Sequence, residues 1–321
     1  MSDGRTALVL GATGGIGGET AVALLRHGWK VVAMARGGQP AADRLDPRLA
    51  AIAWIAGDAM DAADVARAAA GAEVIVHAVN PPGYRNWGKL VLPMIDNSIA
   101  AANAVGARLV LPGTIYNYGP DVFPNLDEEA PQNPITAKGS IRVELERRIE
   151  ASSRDGMNAL IVRFGDFFGP VPGNNWFAQG LVKPGTTLKG ITYPGRKGLG
   201  HAWAYLPDAG EAIARLLDRG DALTRFARFH FGGHWDDDGS KMVQAISTAL
   251  VRPVRVRPFP WFLLRIAGWL QETPREIEKM RYLWREPLRL DNRSLVEFLG
   301  TEPHTPLRDA VRETLIGLGV R

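Results

Sequence analysis

The stretch LVLGATGGIGGETAVALLRHG, Leu8 to Gly28, decides the fold. A short apolar run enters Gly11, and Gly14 and Gly17 follow before a helical pattern sets in. Glycine is needed there for three reasons. The turn is tight, the backbone must come close to a pyrophosphate, and the helix must pack against its strand. The first-turn amides and the positive helix end then hold the anion. Gly11, Thr13, Gly14, Gly15 and Ile16 are the residues such a loop sets around a dinucleotide. A plain glycine-rich turn is the competing reading, and the neighbouring segments decide against it.

Working outward, apolar runs alternate with helical patterns. Strands are expected at 6–11, 30–36, 50–58, 73–79, 108–114 and 158–166, and helices near 16–28, 61–70, 87–105 and 138–153. Apolar strands alternating with helices imply a parallel sheet covered on both faces. The expected class is therefore α/β, a Rossmann-type doubly wound parallel sheet with a smaller, mostly helical C-terminal substrate lobe. Residues 170–200 are rich in Gly and Pro, a helix is expected at about 207–219, and a strand-like run covers 225–233. The lobes are expected to interleave. The nucleotide-binding part takes 1–169 plus about 200–234, and the substrate lobe takes 170–199 plus 235–321.

At 321 residues, with 46% hydrophobic and 22% charged residues, the chain has the profile of an ordinary globular protein. The net charge of +4 is spread along the sequence with no basic block, which argues against nucleic acid as a partner. The absence of cysteine excludes disulfides, thiolate metal sites and a cysteine nucleophile, and is compatible with the reducing cytoplasm, the expected location. The apolar window PFPWFLLRIAGWL, 258–270, is too short to span a bilayer and carries Arg265. It reads as a buried helix, with a helix lying on a membrane surface as the second reading, and no membrane partner is expected.

The end of the second strand discriminates between nicotinamide cofactors. An acidic side chain there bonds the ribose 2′-hydroxyl, whereas arginine accommodates a 2′-phosphate. The sequence VVAMARGG places Arg36 there without Asp or Glu, which favours NADP(H) over NAD(H). Asp58, followed by Ala59, is placed to bond the adenine amino group, to cap the next helix, or both.

These segments resemble the extended or atypical short-chain dehydrogenase/reductase family, which includes the sugar-nucleotide epimerases and dehydratases. GATGGIG is similar to the family's glycine loop and LGTEPHTPLRDAV to its C-terminal signature. VIVHAVNPP stands where the fourth strand lines the cofactor, which implies roles for Ala78, Val79 and Asn80. LPGTIYNYGP resembles the serine/threonine strand and implies that Thr114 is the catalytic hydroxyl. IVRFGDFFGP resembles the segment that opens the substrate pocket, with Asp166 where asparagine is more usual. A homodimer through the helices near 87–105 and 138–153 is implied by the resemblance alone.

The resemblance further implies a catalytic tyrosine followed four residues later by a lysine. In PITAKGSIRVELE, 134–146, Lys138 stands at the tyrosine position and Arg142 at the lysine position, with Glu146 four residues on. No tyrosine occurs between Tyr118 and Tyr193. Arg142 can bond a ribose hydroxyl but cannot relay protons. Lys138 can donate one if burial or Arg142 lowers its pKa. The alternative is a solvated i,i+4 stripe opposite Ile141, Leu145 and Ile149. Thr114 ranks first among the catalytic candidates, then Tyr116, then Lys138, and Tyr118 reads as a packing residue.

Substrate clues are His201, where sugar-nucleotide enzymes of the family tend to carry a phosphate-binding arginine, and an aromatic wall formed by Trp176, Phe177 and Trp203. His230 and His234, separated by glycines, give no metal pair, and no metal is expected. Three functions follow as expectations. The first is an NADP(H)-dependent oxidoreductase that reduces a carbonyl or activated double bond of a small cyclic metabolite. The second is a sugar-nucleotide epimerase or dehydratase with tightly held cofactor, and the third a non-catalytic NADP(H)-binding regulatory protein.

Overall fold

A computed structural model describes residues 5–41, 45–81, 87–171 and 175–321. Pro82 of VIVHAVNPP and residues 172–174 of the Gly/Pro-rich stretch lie outside the described residues. The first half runs β1 (Thr6–Leu10), α1 (Gly15–Arg26), β2 (Lys30–Ala35), β3 (Ala53–Ala56), α2 (Ala62–Ala68) and β4 (Val74–His77). It continues with α3 (Trp87–Val105), β5 (Arg108–Thr114), the two-residue β6 (Asn125–Leu126), α4 (Ala137–Arg154) and β7 (Ala159–Phe164). Short strands and helices follow: β8 (Asp166–Phe168), β9 (Ile191–Tyr193), β10 (His201–Tyr205), α5 (Leu206–Asp218), β11 (Phe226–His230) and β12 (His234–Asp236). The C-terminal part holds α6 (Lys241–Ala249), β13 (Val256–Pro258), α7 (Trp261–Ala267), α8 (Glu272–Lys279), β14 (Arg289–Leu290), α9 (Arg293–Leu299) and α10 (Leu307–Gly317).

Seven parallel strands form the central sheet in the order β3-β2-β1-β4-β5-β7-β11. Their apolar character on both faces is explained by two cores. Val9, Val76 and Val162 meet α1 and α5 on one side, while Leu8, Ile75 and Ile161 meet α2, α3 and α4 on the other. The chain moves outward from β1 to β3, then returns to start the other half at β4. The strand order thus reverses between β1 and β4, and such a switch point opens a crevice at the C-terminal strand ends.

A third core gathers Phe168, Phe177, Trp203, Tyr205, Ile246 and Leu315 around the small mixed sheet β12-β10-β8. The short strands β8, β9, β10 and β12 have no counterpart in the periodicity, because three to five residues carry too little pattern. The C-terminal signature acts through hydrogen bonds. The Glu302 carboxylate accepts from the Gly232 and Gly233 amides, both at 2.8 Å, and Asp208 accepts from the Thr305 amide and hydroxyl, both at 2.7 Å. In the acidic run at 236–238, Asp236 is buried and accepts from the Lys241 and Met242 amides at the start of α6.

The expectation of a buried helix at 258–270 is corrected. Trp261 is buried, but Phe262, Leu263, Ile266, Trp269 and Leu270 all face outward. Helix α7 rests on the small core by one edge only, through Trp261 and Leu264.

Candidate active site

The groove at the switch point has a volume of about 400 Å³ and is lined by Gly11, Thr13, Gly14, Arg36, Asp58, Ala59, Ala78, Val79 and Asn80. Two glycines make it possible. At Gly11, φ is +93° and an added Cβ would lie 2.6 Å from the Ala78 carbonyl oxygen. At Gly17 it would lie 2.3 Å from the Gly11 carbonyl oxygen. Strand ends and helix mouth therefore meet at backbone distance, the cradle a pyrophosphate requires. Gly15 and Ile16 open α1, with Gly15 against Leu206 and Ile16 packed on the core rather than lining the groove.

Arg36 sits exposed at the end of β2 on the groove wall. Asp58 also faces the groove, and its carboxylate accepts from the Met60 amide at 3.0 Å. It does not cap the next helix. Asp61 does, accepting from the Ala63 and Asp64 amides at 2.8 and 3.0 Å, because the chain takes three further residues to turn into α2.

The charged face of α4 departs furthest from its sequence pattern. Lys138 is 4%, Arg142 5% and Glu146 5% exposed, so the solvated-stripe reading is corrected. Thr136 caps the helix by accepting from the Gly139 amide at 3.0 Å. An added Cβ at Gly139 would lie 2.3 Å from the Tyr116 carbonyl oxygen, so α4 starts hard against the loop after β5. Trp87, at the start of α3, closes the other side. Its ring centre lies 4.7 Å from Lys138 Nζ and 5.0 Å from Arg142 Cζ, and the Tyr116 ring centre lies 5.0 Å from Lys138 Nζ. Such ring faces attract the cations that burial desolvates.

Burial and, after it, the Arg142 charge push the Lys138 ammonium down to about 6, with Glu276 and Asp166 opposing. At neutral pH the group exchanges a proton readily. Arg142 extends the other way and donates from Nη2 to Asn80 Oδ1 at 2.7 Å, tying α4 to the groove. Glu146 does neither. Its carboxylate accepts from Arg163 of β7 at 2.6 Å and from Gln132 at 3.1 Å. Arg163 in turn approaches His230 Nε2 at 3.2 Å, and Tyr118 Oη lies 3.1 Å from the same nitrogen. His230 Nδ1 lies 3.2 Å from the Leu126 carbonyl, which fixes the tautomer with Nε2 as acceptor. Tyr118 is thereby a packing residue, and burial pushes its phenol further up.

Beside Lys138 lies a cavity of about 200 Å³ lined by Thr114, Tyr116, Asp166 and Trp176, with Phe259, Leu264, Ile277 and Met280 supplied by the C-terminal part. Thr114 ends β5, and its hydroxyl accepts from the Tyr116 amide at 3.2 Å. Asp166 is held by His201, whose Nε2 lies 2.9 Å from Oδ2, and the imidazole stacks on Trp284 with ring centres 3.8 Å apart. His201 therefore acts on Asp166 and does not line the cavity. Trp203 is corrected in the same sense. It is 1% exposed and packs edge-on against Phe168, Phe177 and Trp284, because β10 is enclosed between β8 and β12.

Trp87, Met280 and the pairing of Arg163 with Glu146 and His230 are absent from the sequence reading. None has a local signal, since each reaches the site from a distant segment. Lys138, Arg142, Thr114 and Asp166, which the resemblance singles out, do converge between groove and cavity.

Comparison with known proteins bears on the family and the fold. The chain matches the model of the NAD dependent epimerase/dehydratase family over residues 7–230. Its fold is similar to that of UDP-glucose 4-epimerase from Stenotrophomonas maltophila, solved with NAD and formylated UDP-arabinopyranose, at 16% identity over 98% of each chain and a TM-score of 0.75. It is equally similar to the Brucella ovis UDP-glucose 4-epimerase solved with NAD, at 14% identity over 98% of each chain and a TM-score of 0.75. The UDP-glucose 4-epimerase of Thermus thermophilus, in complex with NAD, gives 18% identity over 98% of this chain and 99% of that one, with a TM-score of 0.72. No curated protein sequence matches it. With the family model covering well over half its length, the chain belongs to the NAD-dependent epimerase/dehydratase family.

Proposed function

We propose that this chain is an NADP(H)-dependent oxidoreductase that reduces the carbonyl of a small, largely apolar ring compound, with Lys138 as proton donor. The observation that carries the reading is a buried, pKa-lowered ammonium in the wall of an apolar cavity, one helical turn from the arginine that reaches the groove.

The cradle at Gly11 and Gly17 fits a dinucleotide, with Asp58 on the adenine side and Arg36 as the 2′-phosphate partner. A bound nicotinamide dinucleotide supplies the hydride. The chain itself supplies position and a proton. Thr114 and Tyr116 orient the substrate oxygen, Lys138 gives up its ammonium proton to that oxygen, and Arg142 holds α4 to Asn80. Among the described residues lining the cavity, Lys138 and Asp166 are the only charged ones. A nucleoside diphosphate would need cationic partners there, so the lining supports a neutral substrate.

Purified protein should oxidise NADPH in the presence of cyclic ketones. Lys138→Met should lower kcat by about 10²–10⁴-fold while KM changes little. An unchanged rate would remove Lys138 from the reaction. The family match favours a second reading, an epimerase or dehydratase that recycles its hydride. A dinucleotide retained through purification, with no net oxidation of NADPH, would decide for it.

A further inference from the structure

We propose that the face carried by α7 and the turn after it is a peripheral attachment site for an anionic lipid bilayer. Phe262, Leu263, Ile266, Trp269 and Leu270 project together, with Trp269 87% and Leu270 92% exposed. Single exposed hydrophobics are ordinary, but five within nine residues form a patch that water disfavours. What covers the patch is indicated by its charge. Arg196, Arg265 and Arg285 lie close enough to Arg281 to lower its pKa, after desolvation, and Arg281 stacks over Trp261 at 5.4 Å. Glu278 is the acid facing that cluster. Glu276 is taken by Lys279 at 2.8 Å and Arg275 at 3.8 Å. Residues 252–289 hold nine Arg and Lys against four Glu, so this segment alone exceeds the net +4 of the whole chain.

Apolar and aromatic side chains beside an arginine cluster match a surface that is hydrocarbon below and anionic above. Crossing the bilayer is a different matter, for among the described residues no helix is long and apolar enough. A second copy is the poorer occupant. A two-fold pair on this face would bring two arginine clusters, each with few acids, into one interface. Leu264, on the same helix, lines the cavity, so a bilayer here lies one helix away from it. The lipid contact does not depend on the reaction proposed above.

Sedimentation of the full chain with phosphatidylcholine vesicles, with and without phosphatidylglycerol, tests the proposal. The protein should partition onto the mixed vesicles at low salt and leave them as salt rises. Arg265→Gln and Arg285→Gln should each weaken partition about fivefold. The combined Phe262→Ser, Trp269→Ser and Leu270→Ser variant, altered only at exposed positions, should abolish it while remaining folded by circular dichroism. No partition at low salt would overturn the proposal, as would equal partition by the triple variant. A concentration-dependent dimer that this variant abolishes, with no vesicle binding by the native chain, would assign the face to a second copy instead.

Discussion

A lysine and an arginine one turn apart on a helix are unremarkable until they are buried. Lys138 meets the faces of two rings, and burial together with Arg142 lowers its pKa from the ordinary 10.5 to about 6. In the unfolded chain it titrates near 10.4. Between the two values the unfolded state binds the extra proton, so stability rises with pH from about 6 upward until the unfolded lysine loses its own. Burial of Lys138 is thus a cost at neutral pH. Lys138→Met should raise stability there by ~2 kcal/mol and flatten the slope, measured by denaturant melts across that window. A destabilised variant would show that Lys138 holds the fold. The same pKa sets the kinetics. Carbonyl reduction should fall as pH rises through about 6, and the reverse oxidation should rise, because one needs the ammonium and the other the amine. Arg36 makes a separate claim. Arg36→Ala should weaken NADPH binding by about tenfold or more, given a lost charge-assisted contact, and leave NADH binding nearly unchanged; equal losses would refute its role.

At the scale of elements, β1 and α1 are legible because three glycines between an apolar run and a helix suit few local structures besides a nucleotide loop. The parallel sheet is legible for a similar reason, since its strands are apolar on both faces and each has a helical partner. Helix α4 is not. Its cations recur at i,i+4 whether that face meets water or protein, and what buries it arrives from Trp87 and the Tyr116 loop. Trp203 and α7 fail in opposite directions for one cause: hydropathy reports what a side chain prefers, and tertiary packing decides what it obtains. Glu146 shows how much α4 depends on such distant partners. Its ion pair with Arg163 is buried on both sides. Glu146→Gln keeps the shape and removes the charge, leaving Arg163 inside without a counter-ion. A loss of about 3 kcal/mol is expected, read from the denaturation midpoint. A loss within experimental scatter would mean that His230 and Gln132 suffice.

In the whole molecule, the switch point between β1 and β4 places the groove, and the C-terminal part completes the cavity with Phe259, Leu264, Ile277 and Met280. Helix α4 joins the two, with Arg142 toward Asn80 and Lys138 toward the cavity. Groove and family were open to sequence reading. The cavity was open only in part: Thr114, Tyr116, Lys138, Asp166 and Trp176 stand out in the sequence, whereas Phe259, Leu264, Ile277 and Met280 come from segments more than a hundred residues beyond Lys138. The proposed chemistry depends on the state of one amine, and that state can be observed directly. The chain has eight lysines, few enough for 13Cε-labelled lysine to give resolvable NMR signals. One signal, missing from Lys138→Met, should titrate near 6 while the others titrate near their ordinary value. If every lysine, Lys138 included, titrates near 10.4, the ammonium is an ordinary one and the proposed proton donor is wrong.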